Sequence, residues 1–350
     1  MAALGSMAAW CTHRTGQDGA SAEIHFNYWR VAQRGGFFRS ATPSRDFAEV
    51  GALVANPQKI ESIRIFLPFE LSDRDLLDCG PHFKSVEIAQ GIFNEALTCN
   101  SAGPPGPARV ELLKDGEPFC RVYLFPTQDN RIDASQISLK PQGGGALITV
   151  TRQAIDEICH QLPERCPAYI RLRAFLPEKQ PSPFVEVTSP HDRFFQSGFD
   201  EIECVDFRLN EARTLPHRIE SLMRTPVPEH PVPLTRIAFL TAIPVAAELT
   251  GTSIATHKNR VLERQIWEKY IGDKLPISMM VYHWRNHTNP VGDFSAFVKL
   301  RIRRSSLKIV LTYLLLAFVF GVFGNLAASR IDSWLGSPIN NVVSDKENRK

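Results

Sequence analysis

Two groups of residues in this chain have the types and spacing to hold an anion. The first lies in EIECVDFRLNEAR, residues 201–213, where Asp206, Arg208 and Asn210 alternate with Val205, Phe207 and Leu209. A side-chain period of two puts the apolar residues on one face of a strand and the polar ones on the other. Ile202 and Cys204 occupy the polar face upstream, so the charges continue an apolar stripe and are expected to be partly buried and paired. Two readings follow. Asp206 pairs with Arg208 or Arg213 for structural reasons, or Arg208 and Arg213 line a pocket wall that faces an anionic ligand. The second group is Arg171 and Arg173, which share a strand face with Tyr169 and Phe175. Arginine beside aromatic rings can hold a phosphate and stack on a base. A solvated sheet face is the plainer expectation for that pair.

Other clusters carry weaker chemistry. His283, Arg285 and His287 fall on one strand face, as an anion or metal site or simply as a polar face beside a loop. Cys159, His160 and Cys166 do not have standard zinc spacing and read as structural thiols with a surface histidine. Gly143, Gly144 and Gly145 between two apolar runs read as a turn rather than a phosphate loop. The sequence holds no Walker loop, dinucleotide fingerprint, nucleophile elbow or HExxH. No catalytic residue, metal ligand or cofactor is therefore assigned. A cleft gathering His191, Asp192, Asp206 and His283 would point instead to a hydrolase.

These residues need elements to position them, and the apolar patterning supplies mostly strands. Runs at 24–31, 61–69, 110–113, 119–125, 132–139, 146–151, 169–176, 201–209, 234–243, 277–284 and 294–302 read as strands. Asp115-Gly116 between two of them is a strong hairpin signal. Helical patterns occur at 86–97, at 152–162 with Thr151 as its cap, at 210–223 and at 256–271. The fold class is α+β and β-dominated, mostly antiparallel, with sandwich-like lobes and a few helices. The expected organisation is a disordered leader over 1–20, a first β-rich lobe over 21–178 and a second α+β lobe over 179–304. SIRIFLP at 62–68 and YIRLRAFLP at 169–177 echo one another, as duplicated lobes would.

A membrane segment follows, at 305–330 with its basic flank, and then a short polar tail over 331–350. Residues 309–328, IVLTYLLLAFVFGVFGNLAA, carry no charge, and 20 residues of helix span about 30 Å, the thickness of a bilayer core. Lys299, Arg301, Arg303, Arg304 and Lys308 precede it, whereas Arg330 alone follows closely. The positive-inside rule then predicts a cytoplasmic amino-terminal region and a tail on the opposite side. The same basic residues form a stripe able to meet anionic lipid. Ala317, Gly321, Gly324 and Ala328 share one helix face, a surface on which two copies can pack closely.

The totals agree with this picture. At 43% hydrophobic and 22% charged, the 350-residue chain has the composition of a folded protein. A net charge of +3 gives no reason to expect nucleic acid as a partner. Seven scattered cysteines without a CxxC pair suit reduced thiols in a cytosolic domain. The expected function is a membrane-anchored sensing or adaptor protein that binds an anionic small molecule or a protein. Its helix localises it and can assemble it as a homo-oligomer, as in a bacterial defence-type membrane effector. A membrane-associated enzyme and a structural subunit of a membrane complex are the alternatives.

Overall fold

The computed structural model describes residues 5–31, 45–102, 108–178, 180–188, 200–224, 230–256, 258–272, 275, 278–286, 290–303 and 307–335. The chain divides into one unit made of residues 1–188 and 201–302 and a second made of 189–200 and 303–350. The first is strand-rich and mostly antiparallel; the second contains the apolar helix Leu307–Leu335.

Ten strands form the largest sheet. Its spatial order is Lys258–Val261, Met279–Arg285, Leu234–Pro244, Ser21–Trp29, Phe47–Ala55, Ala168–Phe175, Glu117–Tyr123, Arg109–Lys114 and Thr98–Ala102, with Leu76–Asp78 also paired to Ala168–Phe175. Two of its pairings are parallel, Ser21–Trp29 with Leu234–Pro244 and Ala168–Phe175 with Glu117–Tyr123. Two four-stranded sheets accompany it. One runs Ala8–His13, Ile60–Leu67, Gly145–Val150, Ile137–Gln142; the other runs Val185–Thr188, Asp200–Leu209, Phe294–Arg303, Ala247–Thr252.

Alternation along the strands decides what each face of the large sheet meets. Ile24, Phe26 and Tyr28, Val50, Ala52 and Val54, and Ile170 and Leu172 point to one side. There they join Ile63, Ile65, Ile148, Val205, Phe207, Phe239, Val298 and Leu300 in the main core, a sheet-on-sheet packing. The other side is covered by the helices Val86–Phe93 and Arg264–Ile271, through Trp29, Phe47, Ile88, Trp267 and Tyr270. A helix at His217–Arg224 closes the outer face of the first four-stranded sheet, with Ile219 against Ala8, Trp10 and Phe66.

Local signals in the sequence explain the turns and caps. Arg109–Lys114 and Glu117–Tyr123 form a hairpin whose two central residues, Asp115 and Gly116, both have positive φ, 54° and 86°. Gly143 and Gly144 make the same turn between Ile137–Gln142 and Gly145–Val150, at φ 56° and 79°. Thr151 caps Arg152–Cys159 by accepting the Ala154 N–H at 3.3 Å.

Several expectations need correction. Residues 8–13, placed in a disordered leader, form a strand with every residue buried. It pairs with Ile60–Leu67 and is held on its other side by Asn210, whose Oδ1 accepts the Ala9 N–H at 2.9 Å and whose Nδ2 donates to the Ala9 carbonyl at 3.0 Å. Backbone bonds complete the same edge, from the Met7 N–H to the Arg208 carbonyl, from the Asn210 N–H to the Met7 carbonyl and from the Val232 N–H to the Cys11 carbonyl, each at 2.9 Å. Asn210→Ala is expected to lose about 1–3 kcal/mol of stability, and the left-handed backbone at φ 59° adds strain that Asn210→Gly avoids. Urea titration of the two variants separates these contributions; equal losses would show that the backbone geometry carries no weight.

The boundary near residue 178 is also corrected. Strands from both expected lobes share the ten-stranded sheet, because Ser21–Trp29 pairs with Leu234–Pro244. The echoing segments lie in different sheets, Ile60–Leu67 in a four-stranded one and Ala168–Phe175 in the largest. Residues 256–271 are not one helix. Lys258–Val261 is an exposed edge strand, and the helix begins at Arg264. Likewise, the 210–223 pattern becomes helical only at His217, after a 3-10 turn at Ala212–Thr214.

Candidate functional site

The helix-side face of the large sheet carries a row of polar residues set by the strand register. His25, Gly51 and Arg171 align across three strands, as do Asn27, Glu49 and Arg173. Arg171 and Glu49 are 0% exposed and Arg173 is 3% exposed, so the expected solvated face is instead interior. Glu49 sits between the two guanidinium groups. Arg171 Nη2 donates to its Oε2 at 2.6 Å and Arg173 Nε to its Oε1 at 2.9 Å. Trp29 Nε1 adds a third donor at 3.3 Å. Burial by itself raises the pKa of Glu49, but Arg171 and Arg173 outweigh it and hold the carboxyl below its ordinary value.

The remaining donors of both arginines are also engaged. Arg171 Nε donates to Tyr270 Oη at 2.9 Å and Nη1 to Tyr169 Oη at 3.0 Å. With the Asn27 amide oxygen turned toward it, Arg171 Nη2 has a further acceptor, and the Asn27 amide nitrogen donates to the Phe26 carbonyl at 3.0 Å. Arg173 donates to the carbonyls of Tyr270 and Ile271 at 2.9 and 3.2 Å. Those carbonyls end the helix Arg264–Ile271, where the helix dipole favours a cation. The Arg173 guanidinium also lies 4.4 Å from the Phe47 ring centre and 4.7 Å from that of Tyr270. One carboxylate and one helix terminus therefore compensate two buried cations, and the cluster clamps the helix to the sheet.

Arg121 repeats the device at the helix Arg152–Cys159, donating to the carbonyls of His160 and Gln161 at 2.7 and 2.6 Å.

Gly51 makes the cluster possible. A Cβ there would overlap the Tyr169 hydroxyl and lie 2.8 Å from its Cζ. Gly51→Ala is expected to cost about 1–3 kcal/mol by overpacking. Urea titration reads the loss; if the variant matches the parent, the close approach of Tyr169 is not a constraint.

The other expected residues are placed as follows. Asp206 and Arg208 are ion-paired on the outer face of Asp200–Leu209, and Arg208 Nε also lies 3.4 Å from Glu211. Arg213, 78% exposed, pairs with Glu211 at 2.9 Å rather than with Asp206. Arg208 and Arg213 thus share Glu211, while Arg171 and Arg173 share Glu49. Lys299 and Arg301 are exposed on the strand face opposite buried Val298 and Leu300. The side chains of Arg303 and Lys308, and residues Arg304, His191, Asp192 and His287, lie outside the described residues. The hydrolase cleft is accordingly not traced, and His283 is half-buried on Met279–Arg285.

Sequence reasoning missed a second buried ion cluster. Arg30 donates to Glu203 from Nε at 3.0 Å and to Asp46 from Nη1 at 3.2 Å, while the Tyr28 hydroxyl donates to Asp46 at 3.3 Å. All seven cysteines are free. Burial pushes the thiols of Cys11 and Cys79 up to about 12, which leaves them protonated and unreactive near neutrality. Among the described residues, no three His, Cys, Asp or Glu side chains gather as a metal-holding group.

The second unit contains the helix Leu307–Leu335. Leu, Phe, Ala and Val dominate it and proline is absent. Its segment Val310–Leu335 has a mean hydropathy of 2.1, is long and apolar enough to cross a membrane, and has none of its most apolar stretch buried. Ala317, Gly321, Gly324 and Ala328 are exposed, and a Cβ added at either glycine would meet no atom within 4 Å. No protein-family model matches this chain, and no curated protein is significantly similar to it.

Proposed function

We propose that this is a membrane-anchored sensing or adaptor protein whose β-rich unit binds a protein or an anionic ligand on the cytoplasmic side. The observation that carries the reading is the helix spanning Val310–Leu335, apolar throughout its centre and unburied. Exposing so much apolar surface to water is unfavourable at roughly 25 cal/mol per Å², and a bilayer removes that cost. Lys299, Arg301, Arg303, Arg304 and Lys308 precede the helix and set its orientation. The internal pairing of the charged clusters favours a scaffold that presents a surface over an enzyme that uses those groups. Fractionation tests the anchor: the full chain remains with membranes after an alkaline carbonate wash, and protease reaches the β-rich unit only once the cells are permeabilised. Recovery in the soluble fraction overturns the anchor; digestion in intact cells overturns the orientation.

The face bearing Ala317, Gly321, Gly324 and Ala328 brings two copies together in this reading. In detergent, light scattering should show a defined oligomer that Gly321→Leu with Gly324→Leu converts to a monomer. A monomer in both cases leaves the helix as a tether only.

A further inference from the structure

The helix is longer than its uncharged stretch, and its amphipathic residues are not spread evenly. Tyr313 lies six residues, about 1.7 turns, from the amino-terminal end. Near the other end, Arg330 and Trp334 stand four residues apart and so share one face. Trp334 is 82% exposed, and Ile331 and Leu335 beside it are 55% and 70% exposed. Tyrosine and tryptophan prefer the level of the lipid headgroups, where the ring is apolar and its polar atom stays wet. Arginine with its long stem does the same. From Tyr313 to the Arg330–Trp334 turn is 17 to 21 residues, or about 26–32 Å of helix, which brackets a hydrocarbon core of about 30 Å.

We infer that Tyr313 and the Arg330–Trp334 turn mark the two hydrocarbon–headgroup planes of a lipid bilayer, so that the embedded register is shifted toward the carboxyl end from residues 309–328. This rests on the membrane-anchor reading and adds to it where the lipid begins and ends. The centre of the bilayer then falls near Phe323, and Ile331 and Leu335 enter the edge of the membrane instead of facing water. Asp332 and Ser333 occupy the same interfacial turn, with the Ser333 hydroxyl donating to the Arg330 carbonyl at 2.8 Å. On the other side, Lys308 lies about 8 Å beyond Tyr313, at headgroup depth.

The chain's own tryptophans allow a direct test. Of the five, Trp10, Trp29, Trp267 and Trp284 are buried in the β-rich unit, which leaves Trp334 as the one open to lipid. The full chain is reconstituted in phosphatidylcholine vesicles brominated either near the glycerol end or near the methyl end of the acyl chains. Emission is compared with that of Trp334→Phe, and Tyr313→Trp and Phe323→Trp serve as added depth markers in that background. The expected result is stronger quenching of Trp334 and of the residue-313 reporter by the shallow bromines, and of the residue-323 reporter by the deep ones. A deep residue-323 reporter with an unquenched Trp334 overturns the register while leaving the anchor intact. Shallow quenching at all three positions places the helix flat on the surface and overturns the anchor itself.

Discussion

Glu49→Leu is expected to destabilise the β-rich unit by about 3–5 kcal/mol, the usual result of leaving a buried ion cluster without its partner. The substitution removes the single carboxylate between Arg171 and Arg173, neither of which can turn toward solvent. Glu49→Gln should cost nearly as much, because it preserves shape but not charge. The triple variant Glu49→Leu, Arg171→Met, Arg173→Met should recover much of the loss, since replacing all members of such a cluster avoids the unpaired charge. Arg173→Met alone also uncovers the carbonyls that end Arg264–Ile271. Urea titration in detergent reads these effects, with Trp29 reporting beside Glu49. A loss below about 1 kcal/mol, the scale of an exposed pair, would refute the interior role of Glu49.

Acid should act through the same group. The folded pKa of Glu49 lies below its ordinary value, so its contribution is present above the unfolded pKa of about 4.3. That contribution is lost as pH falls through the folded pKa. The parent should therefore lose stability in acid more steeply than Glu49→Gln.

The second large effect concerns the helix. Phe320→Arg with Phe323→Arg places two charges on residues that are 62% and 66% exposed near its middle. Each arginine at a helix centre costs about 2.5–3.5 kcal/mol on the insertion scale, enough together to move the chain out of the membrane pellet. Phe320→Leu with Phe323→Leu keeps the apolar surface and should remain membrane-bound. Retention of the double-arginine chain after carbonate extraction would mean that something other than lipid insertion holds it there.

The sequence made the most local features legible. Asp115-Gly116 and Gly143-Gly144 specify their turns through backbone sterics, Thr151 specifies a cap, and the Asp200–Leu209 alternation predicts which residues turn inward. The strand Phe47–Ala55 was not visible, because FAEVGALVA mixes alanine, glycine and glutamate without a strand-like period. Its lone Glu49 in an apolar run was nevertheless a signal that a buried partner must exist. Arg171 and Arg173 looked solvated because their coverage comes from Tyr270, about a hundred residues away, and from Glu49, which is more distant still. Distance along the chain also hid the shared ten-stranded sheet. Of the candidate residues, the Asp206–Arg208 pairing followed from adjacency on one face, whereas the choice of Glu211 by Arg213 depended on the turn after the strand.

The parallel pairing of Ser21–Trp29 with Leu234–Pro244 joins residues 213 positions apart. At roughly 5–20 residues per second of synthesis, the first of these strands exists for roughly 10–40 s before its neighbour is made. During that interval it offers an open edge, which is a template for wrong partners. Closing the sheet also has to await a long loop, so folding is slow by topology. The apolar helix follows within a hundred residues of the late strand. Completion of the large sheet and synthesis of the apolar helix thus fall in the same short stretch of the chain's birth.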